Sequence, residues 1–164
     1  MIKKEAQKIW TLLEEVFDPE IPVLTVVDMG VIRSVTELKD GGVEVVITPT
    51  YSGCPAMDMI EVEIRAILQE NGYDKVAVKT VLSPAWTTEW MSESGKKKLK
   101  KYGIAPPEGA TIDKNVLFGE AKKIECPRCS SRNTEMLSQF GSTACKALYQ
   151  CSDCKEPFDY FKCH

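Results

Sequence analysis

Four cysteines near the C-terminal end fall in two CxxC pairs, Cys126-Pro-Arg-Cys129 and Cys151-Ser-Asp-Cys154, with 21 residues between them. A CxxC turn lets two sulfurs converge on one ion, so two such knuckles supply the tetrahedral four-thiolate set of a structural zinc ribbon. The intervening hairpin is slightly longer than the usual spacing but closes the same site. Iron or a cluster is compatible with the same ligands. The alternative, a pair of disulfides, belongs to secreted modules, and the charged start Met1-Ile2-Lys3-Lys4-Glu5 is followed by no apolar signal-peptide core. A second chemical position is Cys54, in Ser52-Gly53-Cys54-Pro55, where a strand gives way to a helix. Unpaired N–H groups and the dipole of a helix N-terminus favour thiolate, and proline suits a first helical turn. A thiol so placed is a candidate nucleophile, soft-metal ligand or sulfur acceptor; the plainer reading is a small core residue.

Other candidates are less specific. Asp28 precedes the first strand and is suited to orienting a partner, to supporting a cluster or, equally, to capping a turn. Trp86, Thr87, Glu89 and Trp90 lie within five residues. Exposed, they are a partner-docking segment; buried, the indoles are core. Cys145 lies inside the ribbon hairpin as a spare thiol, and Cys163-His164 closes the chain as a further pair of potential ligands. His164 is the sole histidine, so a Ser-His or Cys-His arrangement would have to be built through that tail. There is no P-loop and no GxGxxG.

The elements that must position these groups follow from periodicity. Ile9, Leu12, Leu13, Val16 and Phe17 repeat at helical spacing, predicting an amphipathic helix from about Lys3 to Phe17. Asp18-Pro19-Glu20-Ile21-Pro22 ends it in a stiff, exposed connector. Val31–Val35 and Val43–Thr48 flank Asp40-Gly41-Gly42 and read as an antiparallel hairpin. Met57, Ile60, Ile64, Ile67 and Leu68 mark a second helix ending near Asn71-Gly72, and Val76 to Leu82 a third strand. Ser83–Met91 is a loop leading to a short helix, with Thr87 or Ser92 as N-cap. The lysines from Lys96 to Lys101 read as a solvated helix end.

The expected fold is therefore α+β: a small two-layer sandwich in the order helix, hairpin, helix, strand, followed by a zinc ribbon. The boundaries fall at 1–103 for the sandwich, 104–120 for a Pro- and Gly-containing linker and 121–164 for the ribbon. So short a ribbon buries too little apolar surface to fold without its metal. With 21 Lys and Arg against 24 Asp and Glu, the net charge is −3, and acidic and basic residues are nearly balanced within the ribbon. That argues against a nucleic-acid partner, which needs a basic surface. No run approaches the roughly 18 apolar residues of a membrane span, and the expected location is the cytosol.

Asp18-Pro19-Glu20-Ile21-Pro22, Asp28-Met29-Gly30, Thr50-Tyr51-Ser52-Gly53-Cys54-Pro55 and Ser83-Pro84-Ala85-Trp86-Thr87-Thr88-Glu89-Trp90-Met91 together resemble the iron-sulfur cluster assembly domain family. The tail, with Phe140–Tyr149 and Glu156–Cys163, resembles the ribbon of the PaaD-type family of bacterial phenylacetate degradation, and with it the resemblance spans nearly the whole chain. It implies an accessory protein, not catalytic by itself, of the multicomponent phenylacetyl-CoA epoxidase. The diiron oxygenase and the flavin and iron-sulfur reductase of that system are the implied partners. It further implies that Cys54 matches the family's functional cysteine and Asp28 its nearby acid, acting on a transient iron or iron-sulfur cluster. A stoichiometric structural subunit without cluster chemistry is the alternative, and homodimerisation through the sheet edge or the tryptophan segment is compatible with either.

Overall fold

The computed structural model describes residues 2–109 and 122–162, and the chain divides into two compact units. The first comprises residues 1–86 and 90–95. Helix α1 (Ile2–Leu13) buries Ile9 and Leu13. It stops four residues earlier than its apolar spacing predicts. The amides of Glu15 and Val16 bond three residues back, to Leu12 and Leu13, which tightens the chain into turns. Phe17 then forms an isolated bridge with Thr25.

The expected exposed connector is instead folded in. One carboxylate oxygen of Asp18 accepts the N–H groups of Glu20 and Ile21 at 2.7 and 2.8 Å, making a turn that carries Ile21 and Leu24 into the core. Pro19 and Pro22 remain outside.

Strands β1 (Ile32–Glu37) and β2 (Val43–Ile47) form the predicted antiparallel hairpin. In β2 the alternation buries Val43, Val45 and Ile47 completely, as a period of two requires. Helix α2 (Ala56–Glu70) buries Met57, Ile60, Ile64 and Leu68. Strand β3 (Val76–Thr80) then pairs parallel to β2, so β2-α2-β3 is a crossover unit in a sheet of order β1-β2-β3. Helix α1 packs on β1, α2 on β3, and the two helices on each other. This is the expected two-layer α+β sandwich.

The second unit comprises residues 87–89 and 96–164. Helix α3 (Glu93–Tyr102) starts in the first unit and continues into the second. Within the stretch read as a linker, Ile104–Ala105 form a strand, β4. Strands β5 (Thr134–Ser138), β6 (Lys146–Cys151) and β7 (Pro157–Phe161) complete a sheet of order β4-β7-β6-β5. β4 joins it by parallel pairing with β7. Its core is Ala105, Ile124, Ala147, Tyr149 and Phe158 with the buried Cys126 and Cys151. The Tyr149 ring stacks on Phe158 at 5.8 Å and meets Tyr160 edge-on at 5.7 Å. The expected ligand pair Cys163-His164 lies outside the described residues.

Candidate metal centre and thiol site

The sheet of the second unit brings the two CxxC turns face to face. Cys126 and Cys129 precede β5, Cys151 ends β6, and Cys154 lies in the turn before β7. All four sulfurs lie within 4.8 Å of one another, with Cys126 and Cys154 3.8 Å apart and Cys129 and Cys151 3.6 Å apart. A tetrahedron with metal–sulfur bonds of ~2.3 Å has edges of ~3.8 Å. The spacing therefore fits one tetrahedrally bound ion, and the donor set is that of a soft or borderline metal. Cys126 and Cys151 face the core, and Cys129 faces solvent.

Each knuckle closes in the same way. The N–H of Cys126 donates to the Ser131 carbonyl at 2.9 Å, and that of Cys151 to the Glu156 carbonyl at 3.0 Å. The residue after each second cysteine, Ser130 or Lys155, takes the left-handed conformation at φ 61° or 64°. Nothing in the residue types signalled this, because neither position is glycine. The crowded sulfurs titrate apart. The backbone N–H of Cys154, then that of Asp153, holds the Cys151 thiol down at about 7 despite burial. At Cys129 the Ser131 N–H works in the same direction, but desolvation by the crowded knuckle and the bonds to Cys151, Cys154 and Cys126 outweigh it and raise the thiol to about 12. Thiolates packed this closely are mutually tolerable around a cation, whose binding displaces the protons they otherwise share. The site is a metal-binding four-cysteine cluster. Cys145 stands apart from it, buried and 3.1 Å from the Thr143 hydroxyl.

In the first unit, Cys54 lies just ahead of α2, as its motif predicts. Gly53 at φ +77° reverses the chain, and Pro55 already has helical dihedrals of −68° and −22°. No side chain caps this helix start, which leaves Asp58 as the acidic residue of the first turn. The Cys54 side chain is only 9% exposed. Asp28 is held in a hydrogen-bonded turn. Its N–H donates to Thr25 Oγ1 at 3.0 Å, its carboxylate accepts the Thr25 N–H at 3.4 Å, and the Ser92 hydroxyl donates to it at 2.7 Å. Ser92 in turn accepts the Gly95 N–H at 2.8 Å and caps α3. Asp28 thus caps the Thr25 turn.

The tryptophan segment divides. Trp86 is buried, with its indole N–H donating to the Met29 carbonyl at 2.9 Å, so it fills the core and is unsuited to docking. Trp90 is half-buried beneath the Arg33 guanidinium, 3.5 Å from the ring centroid. Thr87 is half-buried, its hydroxyl accepting the Glu89 N–H at 3.1 Å, and Glu89 is exposed. Gly30 makes room for Trp90. At φ +70° it lies so close that a Cβ would come within 2.2 Å of the Trp90 carbonyl oxygen.

Both halves match known families. Residues 6–80 match the family described as iron-sulfur cluster assembly protein, and residues 110–162 that described as PaaD zinc beta ribbon domain. A solved structure of a domain of unknown function, DUF59, from Bacillus anthracis has the same fold, with a TM-score of 0.56 and 28% identity over 59% of this chain and 92% of that one. The fold and the cysteine cluster thus define an assembly-type α+β domain joined to a metal ribbon.

Over 159 residues, 97% of this chain and 93% of the relative, the sequence is 48% identical to a protein of Escherichia coli (strain K12) designated as one of the subunits of 1,2-phenylacetyl-CoA epoxidase. The chain belongs to that family. It is also 39% identical over 83 residues, half of this chain and 78% of the relative, to an Fe-S protein maturation auxiliary factor of Porphyromonas gingivalis. No helix among the described residues is long and apolar enough to cross a membrane.

Proposed function

We propose that this protein is an accessory component of the multicomponent phenylacetyl-CoA epoxidase of phenylacetate catabolism, serving maturation of a metal or iron-sulfur cofactor in another component. The observation that carries this reading is the 48% identity over 97% of the chain, which takes in both domains in the same order. Likeness of the first domain to a maturation factor adds the direction of the role. Cys54 is the residue proposed to receive iron or a cluster as cargo, from its place at the uncapped start of α2. Asp28 supports the same unit by fixing the Thr25 turn and the Ser92 cap. Zinc, held by Cys126, Cys129, Cys151 and Cys154, cross-links the two knuckles and makes the ribbon a rigid docking element for the oxygenase or the reductase. Thr87, Glu89 and Trp90 are the remaining docking candidates of the tryptophan segment. We place the start of the ribbon domain ahead of β4, within the stretch read from the sequence as a linker, because β4 belongs to the ribbon's sheet.

The test is the iron and acid-labile sulfide content of the epoxidase components purified anaerobically from cells carrying wild type or Cys54→Ala. Maturation through Cys54 requires that content to fall at least several-fold in the variant; unchanged content refutes it. The burial of Cys54 favours a second reading, a stoichiometric structural component in which the thiol is a packing residue. Co-purification in fixed ratio, with activity lost on omission from purified components and retained by Cys54→Ala, is its signature.

A further inference from the structure

The two knuckles are joined by polar contacts that involve none of the four cysteines. Counting from the first cysteine of each CxxC turn, the fifth residue onward is Ser131 in one knuckle and Glu156 in the other. Each offers its carbonyl to the first cysteine's N–H. Each side chain then reaches to the residue two places after the first cysteine of the opposite knuckle. Ser131 Oγ donates to Asp153 Oδ2, and Glu156 pairs with Arg128 at 3.9 Å.

The two contacts are unequal. Asp153 is fixed by a second donor from the first knuckle, Asn133 Nδ2 at 2.9 Å, while the Asn133 N–H donates to Ser131 Oγ at 3.0 Å and its carbonyl accepts the Ser152 N–H at 2.8 Å. Both hydrogen bonds to its carboxylate are charge-assisted, which makes them stronger than neutral ones. The Arg128–Glu156 pair is long, with more than half of each side chain exposed, the kind of pair that contributes little.

We infer that Asp153 is a positioning residue for the metal centre: a latch, anchored by Ser131 and Asn133, that holds the second CxxC turn against the first and slows release of the bound ion. The inference rests on the four-thiolate reading of the site. Its geometric basis is that Asp153, between the ligands Cys151 and Cys154, is bonded by Ser131 and Asn133 just beyond Cys129, so these side-chain bonds couple the two ligand turns.

The experiment follows transfer of zinc from the loaded full-length protein to an excess of a chromophoric chelator, and records the spectrum of the cobalt(II)-substituted protein. Loss of such a hydrogen-bonded support typically changes metal affinity about 10–100-fold. Asp153→Ala is expected to speed release by that factor, and Asp153→Asn, which retains one acceptor oxygen, by less. Ser131→Ala combined with Asp153→Ala should be little worse than Asp153→Ala alone, because both remove one latch. Arg128→Ala should stay within about twofold of wild type.

Sulfur-to-cobalt charge-transfer bands in wild type, with release from Asp153→Ala no faster than from Arg128→Ala, overturn the latch and leave the metal site standing. Fully additive Ser131 and Asp153 effects also overturn it. A wild-type protein without those bands overturns the four-thiolate reading, and the latch with it.

Discussion

Replacing Gly30 by alanine isolates the close approach on which the Trp90 segment depends. Two costs add. At φ +70° an L residue occupies the left-handed region, at about 1–2 kcal/mol. The added Cβ would also lie 2.2 Å from the carbonyl oxygen, 2.7 Å from the carbonyl carbon and 2.8 Å from the Cβ of Trp90. Two of those atoms are backbone, so relief requires the main chain to move, and forced overpacking of this kind costs about 1–3 kcal/mol more. The expected loss for Gly30→Ala is thus about 2–5 kcal/mol. Gly41 provides the comparison, since at φ +81° its Cβ would meet nothing within 4 Å, leaving only the conformational cost. The assay is urea unfolding followed by tryptophan fluorescence. Trp10, Trp86 and Trp90 all lie in the first unit, so the signal reports that unit alone. A Gly30→Ala loss no larger than that of Gly41→Ala would refute the collision argument.

Metal removal should act on the other unit. Structural zinc supplies about 10–16 kcal/mol of apparent folding free energy in zinc-finger peptides, so a strong chelator is expected to abolish amide-exchange protection in β5, β6 and β7 while leaving the tryptophan-reported urea midpoint unchanged. At alkaline pH, burial holds the Tyr149 phenol up at about 12, from an ordinary value of 10. The folded state therefore holds this proton more tightly than the unfolded chain does. The associated stability is complete below pH 10 and is lost as pH rises through about 12. Tyr149→Phe should flatten the stability profile of the second unit between those values; an unaltered profile, with tyrosinate absorbance rising at the ordinary pH, would contradict it.

Local periodicity is enough for the α+β sandwich, because α2 and β2 each bury one strict repeat, Ile60-Ile64-Leu68 and Val43-Val45-Ile47. The ribbon cysteines are equally legible, since CxxC spacing determines where sulfurs can point. What escapes depends on packing that local pattern does not encode. The Asp18 turn is lost to such a reading because proline content says that a helix stops and nothing about Ile21 being carried into a core. Trp86 carries both an interface and a core meaning until its N–H finds the Met29 carbonyl, 57 positions away. Strand β4 is two residues long and exists only because β7 lies beside it. The Ser131–Asp153 pair has a readable trace, polar residues at matching offsets from the two CxxC turns, but offset symmetry has meaning only once the knuckles face each other.

The pairing of β4 with β7 also bears on biosynthesis. Ile104 and Ala105 leave the ribosome more than fifty residues before their partners Asp159 and Tyr160. Until Phe161 has cleared the exit tunnel, the sheet lacks the strand that joins β4 to β6, while the first unit already has every strand it needs. The nascent chain therefore completes its units in order, the amino-terminal one first and the metal-bearing one only after β7 has emerged. Ion capture is thus expected to come late, because it waits on the second CxxC turn.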